Sequence, residues 1–141
     1  MINTADLVER FGYDEICQLS DKQHYQTINE AVVKHAINDA LGVVESYLNV
    51  LGLVRRDEDG VLLYIKADTP PKALIIKACD IARYYLHEEQ ATSIVKQRYD
   101  EAIDWLKLVM KNPAMLTGSV DMPSNSGIVV MANKQPDYWK N

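Results

Sequence analysis

The chain has 141 residues, of which 48% are hydrophobic and 25% charged, a balance that excludes a globally disordered protein and allows one domain with a real core. Its net charge of -5 argues against a general nucleic-acid binder, because such a protein carries a surplus of Lys and Arg to neutralise phosphates. The first residues lack the basic start of a signal peptide, and no apolar run approaches the ~20 residues that span a bilayer, so we expect a cytoplasmic protein without membrane contact.

Two short helices are predicted at the start of the chain. Thr4 is a good N-cap for a helix over residues 5–11, and Gly12 is a good stop. A second helix is predicted over about 14–19. The polar residues 20–26 then predict a loop.

The third predicted helix, over about 28–50, is strongly amphipathic. Thr27 and Glu30 match the pattern of a capping box at its start. Gly42 lies inside it, at a cost of about 1 kcal/mol relative to Ala, and a close helix crossing would explain this glycine. The apolar residues recur at alternating steps of four and three: Val33, Ile37, Ala40, Val44, Tyr47 and Leu51.

Two apolar runs within residues 53–65 flank Asp57-Glu58-Asp59-Gly60. Asp-Gly between such runs is a hairpin signal, and the second run is rich in β-branched and aromatic residues. We predict a small β-hairpin or an ordered loop over about 53–68.

The fourth predicted helix opens at Pro70-Pro71 and runs to about Glu89. Apolar residues nearly encircle it, which is typical of the most buried helix of a bundle. Asp80 and Arg83 lie in its narrow polar stripe. A charge on such a helix needs a partner, so we expect these two residues to pair with each other or with a neighbouring helix.

Thr92 or Ser93 caps a fifth predicted helix, which extends to about Lys111. Residues 113–141 then form a predicted extended tail, in which residues 127–132 suit one short strand. The predicted fold is therefore mainly α, a compact bundle of four to five helices, two short and three long. The helical domain covers 1–112 with the hairpin or loop inserted at about 53–68, and the tail covers 113–141.

Three sets of residues are candidates for a site of chemistry. His35 and Asp39 have a spacing that suits a metal, but no Glu-x-x-His partner accompanies them, so we expect a solvated helix face and neither a metal nor a cofactor. Cys17 has no basic neighbour to lower its pKa, which argues against a nucleophile. An enzyme built on Asp80, Arg83 and His87 is the least favoured hypothesis; it requires these side chains to line a cleft.

The hairpin and the tail carry apolar residues beyond what a helical core needs. Large aromatic residues near a chain end are often interface anchors. The alternative, a tail folded back on its own core, remains open. The candidate interface residues are Leu62, Tyr64, Ile128, Val130, Tyr138 and Trp139.

The order and spacing of these elements resemble the Mu-like phage and prophage family of head–tail connector, or neck, subunits. The resemblance covers about residues 3–110 and departs from the family at 53–68, which is longer and more strand-like, and after Pro113. The segments that carry it are Asp6–Gly12, Glu15–Asp21, Ala36–Ala40, Glu45–Leu48, Lys77–His87 and Arg98–Leu106.

The resemblance implies a non-enzymatic virion protein that forms a ring between portal and tail. Its partners would be copies of itself, the portal or adaptor protein and tail proteins. It would occur in the host cytoplasm during assembly and then at the head–tail junction. The alternative is a small helical adaptor or regulatory protein that binds another protein through its C-terminal tail.

Overall fold

A computed structural model describes residues 1–117. Within them it confirms the prediction of a mainly helical fold with a small antiparallel hairpin. Short 3₁₀ turns follow the third and fourth helices. The elements in chain order are α1 (Thr4–Phe11), α2 (Tyr13–Ser20), α3 (Glu30–Leu48), β1 (Val54–Arg56), β2 (Leu62–Tyr64), α4 (Lys72–His87), α5 (Ser93–Lys111) and α6 (Ala114–Thr117).

Helix α4 is the central element, as its nearly continuous apolar surface predicts. It packs against α3 and α5, and it also contacts α1 and α2. Its apolar residues join those of α3 and α5 in one core, where the predicted stripes meet. The largest fully buried side chains include Leu48, Leu74, Ile81, Leu86, Leu106 and Val109.

The N-caps of α1 and α3 differ from the predicted residues. The cap of α1 is Asn3, not Thr4: its side chain accepts a hydrogen bond from the Asp6 N–H at 3.1 Å, and the Asp6 carboxylate accepts one from the Asn3 N–H at 2.8 Å. The cap of α3 is Asn29, whose side chain accepts from two backbone N–H groups, so the predicted Thr27–Glu30 capping box does not form. Asn is as good a cap as Thr or better, so adjacent candidates compete.

The ends of α4 and α5 follow local backbone conformation. Helix α4 ends at His87, two residues before the predicted end, because Glu88 has a positive φ of 56° that no α-helix continues through. Helix α5 is capped by Thr92, whose hydroxyl accepts from the Val95 N–H at 3.3 Å, and it ends at Lys111 as predicted.

The hairpin forms around the Asp-Gly signal. The Asp57 carboxylate accepts hydrogen bonds from the N–H groups of Asp59 and Val61, both at 2.9 Å, and thereby closes the turn. Gly60 has a φ of 80°, which glycine adopts without strain. Arg56 of β1 anchors the hairpin to α3, because its guanidinium donates to the Glu45 carboxylate at 2.8 and 3.2 Å.

Helix α6 was not predicted, since residues 113–141 were expected to form an extended tail. The short helix Ala114–Thr117 packs on α5, and Leu116 is buried in the common core. The strand predicted over 127–132 lies outside the described residues.

The close helix crossing predicted at Gly42 is wrong. A β-carbon built at this position has no neighbouring heavy atom within 4 Å, so there is room for a side chain. We expect Gly42→Ala to raise the free energy of unfolding by about 0.5–1 kcal/mol, because alanine reduces the conformational freedom of the unfolded chain and favours the helix. Urea unfolding measures this change, and a destabilised variant would show that Gly42 meets a neighbour after all.

Candidate functional site

Asp80 is buried at the centre of α4 and faces α1. One of its carboxylate oxygens lies 3.5 Å from the Arg10 guanidinium, and that oxygen has no hydrogen bond to any described residue. Burial raises the pKa of Asp80, against the opposing effect of Arg10, Lys77 and Arg98. The carboxylate is thus balanced by cations on α1, α4 and α5, which makes it a structural contact between helices.

Arg83, one turn further along α4, faces α2. Its guanidinium donates to both carboxylate oxygens of Glu15, at 2.7 and 3.0 Å, and its charged carbon lies 4.4 Å from the centre of the Phe11 ring. Asp80 and Arg83 therefore do not pair with each other. Each pairs with a different helix of the N-terminal pair, which is the second of the two predicted alternatives.

His87, at the end of α4, also faces Glu15. Its Nε2 atom lies 3.9 Å from the Glu15 carboxylate, too far for a hydrogen bond, and its side chain is 13% exposed. Burial lowers the pKa of His87, while Glu15 acts in the opposite direction. Asp80 faces Arg10, whereas Arg83 and His87 converge on Glu15, so the three side chains do not line one cleft as the enzyme hypothesis requires.

Three residues of this contact were missed by sequence reasoning: Arg10, Phe11 and Glu15. The sequence carries only a weak signal for the role of these three residues. Arg10 and Glu15 are charges on two short amphipathic helices, but nothing in their spacing indicates partners about seventy positions away on α4.

The lowered pKa of His87 gives the fold a pH dependence. The unfolded chain binds this proton more readily than the folded chain, so the contribution of His87 is complete above the ordinary histidine pKa of about 6.5 and is lost as pH falls through the folded pKa. We expect His87→Gln to reduce the loss of stability on acidification below pH 6.5, measured by urea unfolding across that range. Exposed His35→Gln is the matched control and should keep the wild-type slope; equal slopes for all three proteins would contradict the prediction.

The other candidates for a metal ligand or a nucleophile are His35 and Asp39 on α3 and the two cysteines. His35 and Asp39 are 3.6 Å apart on the exposed face of α3, and no group of three potential metal ligands occurs among residues 1–117. Cys17 and Cys79 are buried free thiols. Burial raises the pKa of both, that of Cys79 to about 12, so neither supplies a reactive thiolate near neutral pH.

The proposed interface role of Leu62 is corrected by the structure. Its side chain is fully buried in the core, because alternate residues of a strand point to opposite faces and Leu62 takes the inner one. Its neighbour Val61 is 45% exposed instead. Tyr64 is half-buried against the core. The other four candidates, Ile128, Val130, Tyr138 and Trp139, lie outside the described residues.

A groove of about 410 Å³ opens beside Val61, between the N-terminal residues, α3 and the hairpin. Its floor is apolar and consists of the nearly buried side chains of Ile2, Ile37 and Leu41, whereas the fully buried Leu62 only borders it. Lys34, Arg56 and Asp59 also line it. The N-terminal ammonium group donates to the Leu62 carbonyl at 3.4 Å, so this carbonyl points away from β1 and toward the N-terminal segment. The groove combines an apolar floor with polar groups along its sides, as peptide and ligand sites do.

Among residues 1–117, no helix combines the length and the hydropathy of a membrane span.

Comparisons with known proteins agree with the resemblance found in the sequence. The model of the family described as "Bacteriophage Mu, Gp36" matches residues 2–131. The "Mu-like prophage FluMu protein gp36" of Haemophilus influenzae is 29% identical over 119 residues, which is 84% of this chain and 77% of that protein. Neither name is that of an enzyme.

Proposed function

Because the chain belongs to the bacteriophage Mu Gp36 family, we propose that it is a non-enzymatic structural protein of a Mu-like phage or prophage, a head–tail connector or head-completion subunit. It assembles as a ring between portal and tail. The observation that carries the proposal is the family match over residues 2–131, which includes the whole described fold.

The polar contacts of α4 support a structural role. Asp80, Arg83 and His87, the residues that a catalytic hypothesis would use, are directed to Arg10 and Glu15 of the N-terminal helices. They hold the helices together and do not open into a common cleft.

The charge of the chain also suits a ring through which DNA passes. A net charge of -5 makes the protein a poor ligand for phosphates, so the wall of such a ring does not retain the DNA. A ring further requires two different surfaces that join head to tail. The groove and the chain beyond residue 117 are candidates for these two surfaces, and the partners are copies of the chain, the portal or adaptor protein and tail proteins.

The test is a phage or prophage in which the gene for this protein carries a nonsense mutation. We expect DNA-filled heads and separate tails by electron microscopy, with joining restored when the protein is supplied from a plasmid. Intact, infectious particles without the protein would overturn the proposal.

Localisation separates the proposal from the adaptor alternative. A connector copurifies with wild-type particles, and an antibody label lies at the head–tail junction. A protein that is abundant in infected cells and absent from purified particles would be an adaptor or regulator instead.

A further inference from the structure

We propose that the groove between the N-terminal residues, α3 and the hairpin binds residues 127–131 of a second copy of this chain. The inference rests on the proposed ring, and it names the two surfaces that meet there. It assigns Ile128 and Val130 to the groove and leaves Tyr138 and Trp139 out of this contact.

The extent of the family match selects the segment. The match ends at residue 131, so it includes the apolar run Ile128-Val129-Val130-Met131 and omits residues 132–141. Apart from Met1, the residues that line the groove lie within the same match. Of the two apolar parts of the tail, only the first therefore belongs to the part of the chain that the family shares with the groove.

The chemistry of the groove matches this run. An extended segment needs apolar contacts for alternate side chains and partners for its backbone. The floor of Ile2, Ile37 and Leu41 supplies the first. The exposed rim residue Val61 adds to it, and the Lys34 ammonium, which also lines the groove, supplies hydrogen-bond donors for backbone carbonyls. The Arg56 guanidinium is already bonded to Glu45 and to the Gly60 carbonyl and borders the groove without serving the segment.

The chain between α6 and the segment is long enough to reach a neighbour. Residues 118–126 include three Ser, one Gly and one Pro. At ~3.3 Å per residue they extend up to about 30 Å, close to the diameter of a small domain. Binding to a neighbour makes each copy both donor and acceptor of a segment, which is the head-to-tail contact that a ring requires.

Disulfide trapping in the full-length chain tests the inference. One chain carries Val61→Cys and a second, differently tagged chain carries Val130→Cys; the two are mixed under mild oxidation. The native thiols do not interfere, because Cys17 and Cys79 are buried. A disulfide forms only when the two α-carbons come within ~7 Å, so a mixed dimer of twice 16.0 kDa reports docking in the groove.

Matched variants give the test its specificity. Val129→Cys replaces a neighbouring valine. Because successive side chains of an extended segment alternate in direction, docking of Val130 in the groove would turn residue 129 away from it, and we expect the yield of Val129→Cys with Val61→Cys to be about fivefold lower. Ile94→Cys is a more exposed partner on α5, outside the groove, so it is at least as accessible as Val61→Cys. Tyr138→Cys is a tail partner outside the segment. Both should give only the low background of random collision.

Each outcome decides the inference. Preferential trapping of Val61→Cys with Val130→Cys supports it, whether or not the particle experiment places the protein at the head–tail junction. Equal yields for all pairs overturn it and leave the connector role standing. A chain that carries both Val61→Cys and Val130→Cys provides the last comparison. If it forms an internal disulfide while mixed single variants form none, the segment occupies its own groove, and docking on a second copy is overturned.

Discussion

Replacing Leu106 with alanine should lower the free energy of unfolding by about 3 kcal/mol. Leu106 is a fully buried residue of α5, and removing a buried leucine side chain costs both its transfer from water and the cavity left behind. Leu108, two residues along the same helix, is 52% exposed, so Leu108→Ala should cost under about 1 kcal/mol.

Urea unfolding followed by far-UV circular dichroism measures both variants. The pair is well matched, because the same substitution at the same helix changes helix propensity equally. Similar losses for Leu106→Ala and Leu108→Ala would mean that α5 does not present the described face to the core.

Replacing Glu15 with alanine should cost about 2 kcal/mol, the second largest effect that we expect. The substitution leaves the Arg83 guanidinium without its two hydrogen bonds in a position where it is only 19% exposed. Removal of one partner of a fully buried ion pair costs ~3–5 kcal/mol, and the residual exposure of this pair reduces that figure. The N-terminal helices should consequently pack less firmly on α4.

The matched control is the exposed pair Lys96–Asp100 on α5. Asp100→Ala should cost under about 0.5 kcal/mol, because solvent screens an exposed pair. A double-mutant cycle between Glu15→Ala and Arg83→Leu should give a coupling energy above about 1 kcal/mol. If the double variant instead loses the sum of the two single losses in stability, Glu15 and Arg83 do not interact in solution.

The helices and the hairpin were largely predictable from sequence, because their signals are local. The stripe of α3, from Val33 to Val44, repeats at helical spacing and is buried where the pattern places it. The Asp57–Gly60 turn was indicated by its own residues. The errors are also local in origin: Asn3 and Asn29 compete with nearby Thr residues as caps, and the backbone of Glu88 ends α4 before its apolar pattern does.

The contacts between elements were not predictable in the same way. Asp80 and Arg83 need partners for a reason visible in the sequence, but which partners they find depends on how α1 and α2 lie across α4. The groove joins residues 1–4, 34–41 and 56–62, which are distant along the chain. The burial of Leu62 depends on which face of the hairpin meets the helices, and strand alternation alone allows either face.

The central position of α4 has a consequence for synthesis of the protein. Helix α3 leaves the ribosome before α4, its main packing partner, so a nascent chain ending before Lys72 exposes the apolar face of α3 that α4 later covers. We expect such a chain to be a substrate for chaperones and proteases. We therefore expect folding to be completed only after α4 has been translated.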